Sequence, residues 1–277
     1  NLFFLNPNGI IFGTEAQLDM GGSFLATSAE SMEFGTQGSF SATNPQIPDL
    51  LTVSPSALIF SNRPPRQIIN RSVASSGMTA PGDSTSASPT GLSVPNGENL
   101  LLAGGEVLIE GGGLTATGGH IHLVGIAGPG QIVIDNDTAP PSFTVPETAL
   151  QSDVTLQNVA LLAVTSGDGG RITLEGENVG ILDGSRLFAG IAPNSGSANS
   201  QGGDITLRAN NRLTVEGPGF TIQNIVGDGA TGNAGGLFIE ARDFIAQNVV
   251  FMRLATFGNG DVGPVSLQIE ETATFTN

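Results

Sequence analysis

The sequence predicts an all-β chain coiled as a parallel β-helix, and three observations predict it. Glycine pairs that lead into a short alternating strand recur at Gly169, Gly202 and Gly235, 33 and 33 residues apart, with a degraded copy 28 residues on at Gly263. A period in this range marks a solenoid of stacked supersecondary units. Within one such unit, three strand-like stretches (204–208, 212–216 and 220–223) are separated by turns, as three-cornered coils require. Finally, no stretch carries helical periodicity, and 40 glycines with 39% hydrophobic residues suit many short strands joined by turns. A leucine-rich repeat would need a helix or a strict Leu ladder per unit. A β-propeller would need blades of roughly forty residues with Trp-Asp marks, and the chain has no Trp.

The chain opens with Asn1-Leu-Phe-Phe-Leu, a polar corner Asn6-Pro7-Asn8-Gly9, and Ile10-Ile-Phe-Gly. Pro at the second position of a four-residue turn presets φ, and Asn at the third tolerates the bridge or left-handed region. Gly at the fourth lets the chain leave, and Asn6 can bond its own backbone two residues on. The flanking runs are apolar, β-branched or aromatic, so the stretch reads as strand, corner, strand.

These residues resemble the signature of the two-partner secretion domain that opens filamentous-haemagglutinin-like exoproteins. The likeness covers Asn6-Pro7-Asn8-Gly9-Ile10 with its flanks, continues through Ala16-Gln-Leu-Asp-Met-Gly-Gly-Ser-Phe-Leu-Ala-Thr-Ser-Ala, and extends to Phe40. The resemblance implies a right-handed parallel β-helix, recognised by an outer-membrane partner pore with periplasmic domains and carried by it to the cell surface. It also implies a secreted or surface location on a Gram-negative-type cell. The corner Asn6, Pro7, Asn8, Gly9 and Ile10 is then the secretion motif, setting the first rungs on which later coils template.

From residue 44 to 97 the rhythm breaks, with Asn44-Pro-Gln-Ile-Pro and Arg63-Pro-Pro-Arg-Gln-Ile-Ile-Asn-Arg. A polar tract over 74–89, with five Ser between positions 75 and 88, reads as loop. Stretches 50–53 and 57–60 are expected as an extra-helical hairpin lying on the side of the coil. The layout expected is thus 1–60 as secretion-domain β-helix, 61–98 as a loop-rich excursion, and 99–277 as continuing β-helix. Alternation predicts Ile172, Leu174, Ile205, Leu207, Leu213, Val215, Phe238, Val265 and Leu267 as stacked core columns. Rungs spaced by about 4.8 Å would build a rod of about 40 to 50 Å. The first and last residues both fall inside strand-like runs, so the chain reads as cut at both ends, with strand edges exposed there.

Charge narrows the partners. With 25 acids against 9 basic residues, all Arg, the net charge of −16 disfavours nucleic acid. No Cys means no disulfide, thiolate nucleophile or thiolate metal site. No apolar run approaches the roughly eighteen residues of a membrane helix, so the chain is not expected to span a membrane.

Four clusters could carry chemistry. Arg63, Arg66 and Arg71 lie in a run without acids, suiting either an acidic partner such as the pore's periplasmic domains or a plain solvated loop. His120 and His122 alternate on one side of a strand and could begin a metal site, but they lack a third ligand; the plainer reading is two exposed imidazoles. Glu106 with Glu110, Glu175 with Glu177 and Asp135 with Asp137 could be a glycosidase pair, yet any acidic solenoid offers such spacings by chance. Asp135-Asn-Asp137 and Gly167-Asp-Gly-Gly170 offer oxygens to Ca²⁺, but fit neither the twelve-residue loop nor the calcium nonapeptide. The expectation is therefore no enzyme, no cofactor and no metal. The chain is expected to serve a surface adhesin or haemagglutinin-like filament meeting glycans or proteins on host or neighbouring cells. The alternatives are a β-helical polysaccharide-acting enzyme and a purely structural surface or matrix protein.

Overall fold

The computed structural model describes residues 1–45, 54–61, 63–75, 90–135, 141–248 and 250–277. Among them the chain is all-β, without α-helix, and one short 3-10 turn occupies Gly35–Gln37. Among the described residues no helix is long and apolar enough to cross a membrane.

Strands distant in sequence lie side by side and run parallel. In the 12-stranded sheet, Leu2–Leu5, Phe24–Thr27, Leu100–Gly104, His120–Gly125 and Arg171–Ile181 pair in that order. The series continues through Ile205–Glu216, Leu237–Gln247 and Val265–Thr276. The same sheet stacks Ile10–Phe12, Ile68–Asn70, Val107–Glu110 and Val154–Gln157 onto the second half of Arg171–Ile181. A 6-stranded parallel sheet stacks Leu92–Ser93, Gly113–Thr115, Leu161–Ala163, Arg186–Ile191, Gly219–Val226 and Val250–Thr256. A parallel pair needs a long crossover, and here the other strands of each unit supply it.

The 33-residue repeat is a register. Ile172 faces Ile205, then Leu237 and Val265, while Leu174 faces Leu207, Ile239 and Leu267. Ile172, Leu174, Ile205, Leu207, Leu213 and Val215 are all fully buried in one apolar core, as alternation predicts. Three positions differ. Phe238 pairs with Thr206 and Ser266, so it faces outward, and Leu237 and Ile239 take the core places. The cause is a one-residue shortening: Leu237 follows its glycine pair directly, whereas Asp204 separates Ile205 from Gly203. Val265 and Leu267 lie in these columns but are half-exposed, on the last strand.

Two predicted strands, 204–208 and 212–216, are one strand, Ile205–Glu216, with a register shift between Ala209 and Arg212. The same shift recurs at Gly176/Asn178 and Ala241/Asp243. Adjacent units therefore bend in step. The glycine pairs are needed where the chain turns against its neighbours: Gly170 has φ +79°, and a Cβ there would sit 2.2 Å from the Val164 carbonyl oxygen.

The excursion is larger than a hairpin. Ser39–Ser41, Ser31–Glu33, Ala57–Phe60, Gly130–Asp135 and Ser142–Thr144 form a 5-stranded antiparallel sheet. The expected hairpin partner at 50–53 lies outside the described residues, as does most of the Ser-rich tract; within the antiparallel sheet, Ala57–Phe60 pairs with Ser31–Glu33 and Gly130–Asp135. Within 61–98, Ile68–Asn70 and Leu92–Ser93 join the parallel sheets.

The antiparallel sheet covers the outer face of the first layers. Leu25, Leu101, Ala103 and Val124 meet Met32, Leu58, Phe60, Ile132, Ile134 and Phe143 in a second apolar cluster. With both faces covered, a strand needs no alternation, which explains the unbroken Leu100-Leu-Leu-Ala run. Each large side chain buried there contributes roughly 1.5–3 kcal/mol.

Candidate recognition site

The opening corner is built as its residue types dictate. The Gly9 N–H donates to the Asn6 carbonyl (3.0 Å), closing a four-residue turn. The Asn8 N–H donates to Asn6 Oδ1 (3.1 Å), so the Asn6 side chain fixes the turn from inside. The Asn6 N–H donates to the Thr27 carbonyl (2.9 Å) and the Ile10 N–H to the Gln67 carbonyl (3.1 Å), tying the corner to neighbouring layers.

Asn8 keeps a negative φ; Gly9 takes the left-handed conformation, at +93°. Its hydrogen is also needed for space, since a Cβ would lie 2.9 Å from the Gln67 carbonyl oxygen and 3.2 Å from Arg66 Cβ. Ile10 is buried and in register with Ile68, which pairs with Val107, so it anchors the corner to the core. Asn8 alone among the five motif residues presents an exposed side chain.

The three arginines separate. Arg71 Nε donates to Glu110 Oε2 at 2.6 Å, which also accounts for Glu110 of the expected carboxylate pair. Arg63 and Arg66 are exposed. Arg66 borders the corner, where Asn8, Pro65, Gln67 and Glu106 join it around a cleft of about 450 Å³.

A second constellation corrects an expectation. His120 and His122 are buried rather than exposed, 5% and 2% accessible. They do project from the outer side of their strand, but that side lies beneath Phe143, whose ring centroid is 5.6 Å from that of His122. Their own rings stack at 5.0 Å. His120 Nε2 meets Thr173 Oγ1 at 2.8 Å and His122 Nε2 meets Glu175 Oε1 at 3.2 Å. Arg208 donates to Glu175 at 3.3 Å and to Glu240 at 3.0 Å. His120, His122, Glu175 and Arg208, with Arg171 and Asp204, line a groove of about 600 Å³.

Burial, with the charges of His122 and Arg171 adding to it, holds the His120 imidazole well below its ordinary pKa. For Glu175 burial alone would raise the pKa. The His122 hydrogen bond and charge, with those of Arg208, outweigh it and hold the carboxyl below its usual range. A carboxylate held ionised by two partners is poorly suited to donating a proton.

The remaining candidates have local roles or lie outside the described residues. Asp168 Oδ1 accepts the N–H groups of Gln201 (2.8 Å) and Gly169 (3.1 Å), pinning the glycine-pair turn to the next layer. Asp135 lies on Gly130–Asp135, and Asp137 falls outside the described residues. No group of three His, Cys, Asp or Glu among the described residues could hold a metal ion.

Sequence reasoning missed the stacking of Arg66, Gln67 and Glu106 against the corner. The one available signal was that Gln67-Ile-Ile-Asn70 and Glu106-Val-Leu-Ile109, like Gly9-Ile-Ile-Phe12, place a strand of the same pattern directly after the residue concerned. A family model described as TPS secretion domain matches residues 1–177. No curated protein and no solved structure matches the chain.

Proposed function

The chain belongs to the family of two-partner secretion (TPS) domains of the filamentous-haemagglutinin type, and we propose that an outer-membrane transporter reads its opening corner and exports it. The observation that carries this reading is the family match, which contains the corner and runs to residue 177. On this reading the chain is part of a secreted exoprotein that passes through the periplasm and outer membrane of a Gram-negative cell to its surface. Its coil is a right-handed parallel β-helix, with 1–60 carrying the secretion motif, 61–98 interrupting the coil, and 99–277 continuing it. The register of Ile172, Ile205, Leu237 and Val265 supports one layer per repeat. The exposed product would serve as an adhesin or haemagglutinin-like filament whose targets are surface glycans or proteins.

The motif residues divide the work. Asn6 and Gly9 form the turn, Ile10 anchors it, and Asn8 is the side chain left for a partner to read. The test is export of the exoprotein co-expressed with its transporter, comparing Asn6→Ala, Asn8→Ala and Gly9→Val. All three should reduce the amount outside the cell, and purified Asn8→Ala should melt at the temperature of the unaltered chain. Undiminished export of Asn8→Ala would overturn this division; undiminished export of all three would overturn the role of the corner.

A further inference from the structure

The groove beside His120 and His122 has a polar lining, only part of which is used within the fold. Its floor is the outer face of three successive layers. Arg171 is in register with His120, Asp204 stands one residue before the Ile205 that pairs with Ile172, and Thr173 faces Thr206. Ser142 and Phe143 of the antiparallel sheet stand along it. A neighbouring cleft of about 660 Å³ shares Glu175 and Arg208 with this groove and carries the depression past Glu240 to Gln268. From His120 to Gln268 the two cross five layers, about 19 Å at one strand spacing per layer.

Glu175, Arg208 and Glu240 are engaged with one another and with His122. Other groups are open. Arg171 is exposed, and among the described residues its side chain makes no hydrogen bond or ion pair, although Asp204 is next to it in the column. Asp204 Oδ1 accepts the Gly236 N–H (2.7 Å), while Oδ2 meets no partner among the described residues. The Thr206 hydroxyl is without a partner there too. His120 and His122 each keep a buried Nδ1 unanswered, a rare condition in a folded chain. One layer on, Phe238 pairs with Thr206 and projects outward, half-buried. Its ring lies against Gly236, the residue that follows Arg171 and Asp204 in their column; Cε2 is 2.9 Å from where a Cβ would stand.

These open groups select a class of ligand. Two arginines meet two carboxylates in the groove, so its charge cancels, and the −16 of the whole molecule disfavours an anion. The floor strands Arg171–Ile181 and Ile205–Glu216 are paired on both sides, so a peptide finds no free edge to extend there. A hydroxyl, which both donates and accepts, matches what is left. Adjacent hydroxyls can accept from Arg171 and donate to Asp204 Oδ2, while the Phe238 ring offers apolar area to the C–H face of a sugar. We infer that Arg171, Asp204, Thr206 and Phe238 form a subsite for a neutral sugar unit, the linked cleft receiving further units of the same polysaccharide. This rests on the reading that the exposed product meets surface glycans, and gives that reading a place and a ligand class. It does not depend on the corner.

The test is binding of the full chain to immobilised neutral oligosaccharides of glucose, galactose and mannose, with a uronic-acid oligosaccharide and an aspartate-rich peptide beside them. Attachment to a panel of intact bacterial and animal cells is measured in parallel. At least one neutral series should bind. Arg171→Gln, Asp204→Asn (which keeps an oxygen for the Gly236 N–H) and Phe238→Ala should each weaken that binding at least about tenfold, with melting temperatures unchanged. Arg212→Gln, which removes a guanidinium elsewhere on the coil, should bind as the unaltered chain does. If the groove variants bind equally well, or the uronic-acid or peptide ligand is preferred, the groove assignment is wrong and the adhesin reading stands. If the unaltered chain binds no saccharide yet attaches to cells, the groove is wrong and the target is a protein. If it does neither, both readings fall. Weakened binding that tracks a lowered melting temperature, or that Arg212→Gln reproduces, would also overturn the subsite.

Discussion

Acidification should loosen the covered part of the sheet through His120, and its cost can be worked from the structure. Protonating this imidazole places a charge in a site 5% accessible, beside His122 and near Arg171. The cation would carry two N–H groups. Nε2 faces Thr173 Oγ1, but buried Nδ1 has no hydrogen-bond partner, so one new donor would go unanswered. The folded-state pKa therefore lies below the ordinary value of 6.5.

The sign follows from linkage: the unfolded chain takes up the proton first, so His120 stabilises the fold above about pH 6.5 and the contribution is lost as pH falls. While the imidazole stays neutral in the fold, the loss is roughly 1.4 kcal/mol per pH unit below that value. Glu175 acts in the same direction at lower pH, because a depressed carboxyl stabilises above its unfolded value near 4.5 and loses that stabilisation as pH falls through its folded value. The assay is urea unfolding followed by circular dichroism at pH 7.5, 6.5 and 5.5, on the unaltered chain and on His120→Gln. The two chains differ only in this side chain, so the difference between the two slopes reports His120. Equal slopes would refute the buried-imidazole argument.

Other predictions rest on packing. Gly170→Ala should cost more than about 2 kcal/mol, because the left-handed backbone costs about 1–2 kcal/mol and the new Cβ must also clear the Val164 carbonyl. Gly184→Ala, with φ +73° but nothing within 4 Å, should cost the backbone share alone, and equal urea midpoints would contradict this. Leu174→Ala should lose about 2–5 kcal/mol, while Phe238→Ala, on the outer face, should lose less than about 1 kcal/mol; the reverse order would mean that the register is wrong.

How far the sequence could be read depended on where each residue's neighbours come from. Ile172, Leu174, Ile205 and Leu207 were legible because every repeat offers the same alternating pair. Phe238 was not, because a single residue missing after a glycine pair inverts which side faces the core. The chemistry of Asn6 and Gly9 is local and could be written down from the tetrapeptide. The burial of His120 and His122 comes from Phe143 and the antiparallel sheet, whose pairing nothing near the histidines announces. Leu101 and Val124, apolar on the outward side, were the available hint. Likewise Arg66 and Glu106 reach the corner only through the stacking of layers.

The bond from Ile10 N–H to the Gln67 carbonyl also sets a timetable. The corner is closed by its own residues, but a clamp on its exit side is supplied by a residue more than fifty positions later. The next residue, Ile68, donates in turn to the Glu106 carbonyl, and Val107 to that of Asp153. Contacts of such long sequence separation form late, because the intervening chain must be closed into a loop first. A partner that meets the Asn6-to-Gly9 tetrapeptide before Gln67 is in place would therefore encounter it before its architecture is complete. Early and late encounters would present two different objects, a short flexible loop and then a braced edge. Kinetic experiments that vary how much of the chain has emerged could tell which of the two the transporter engages.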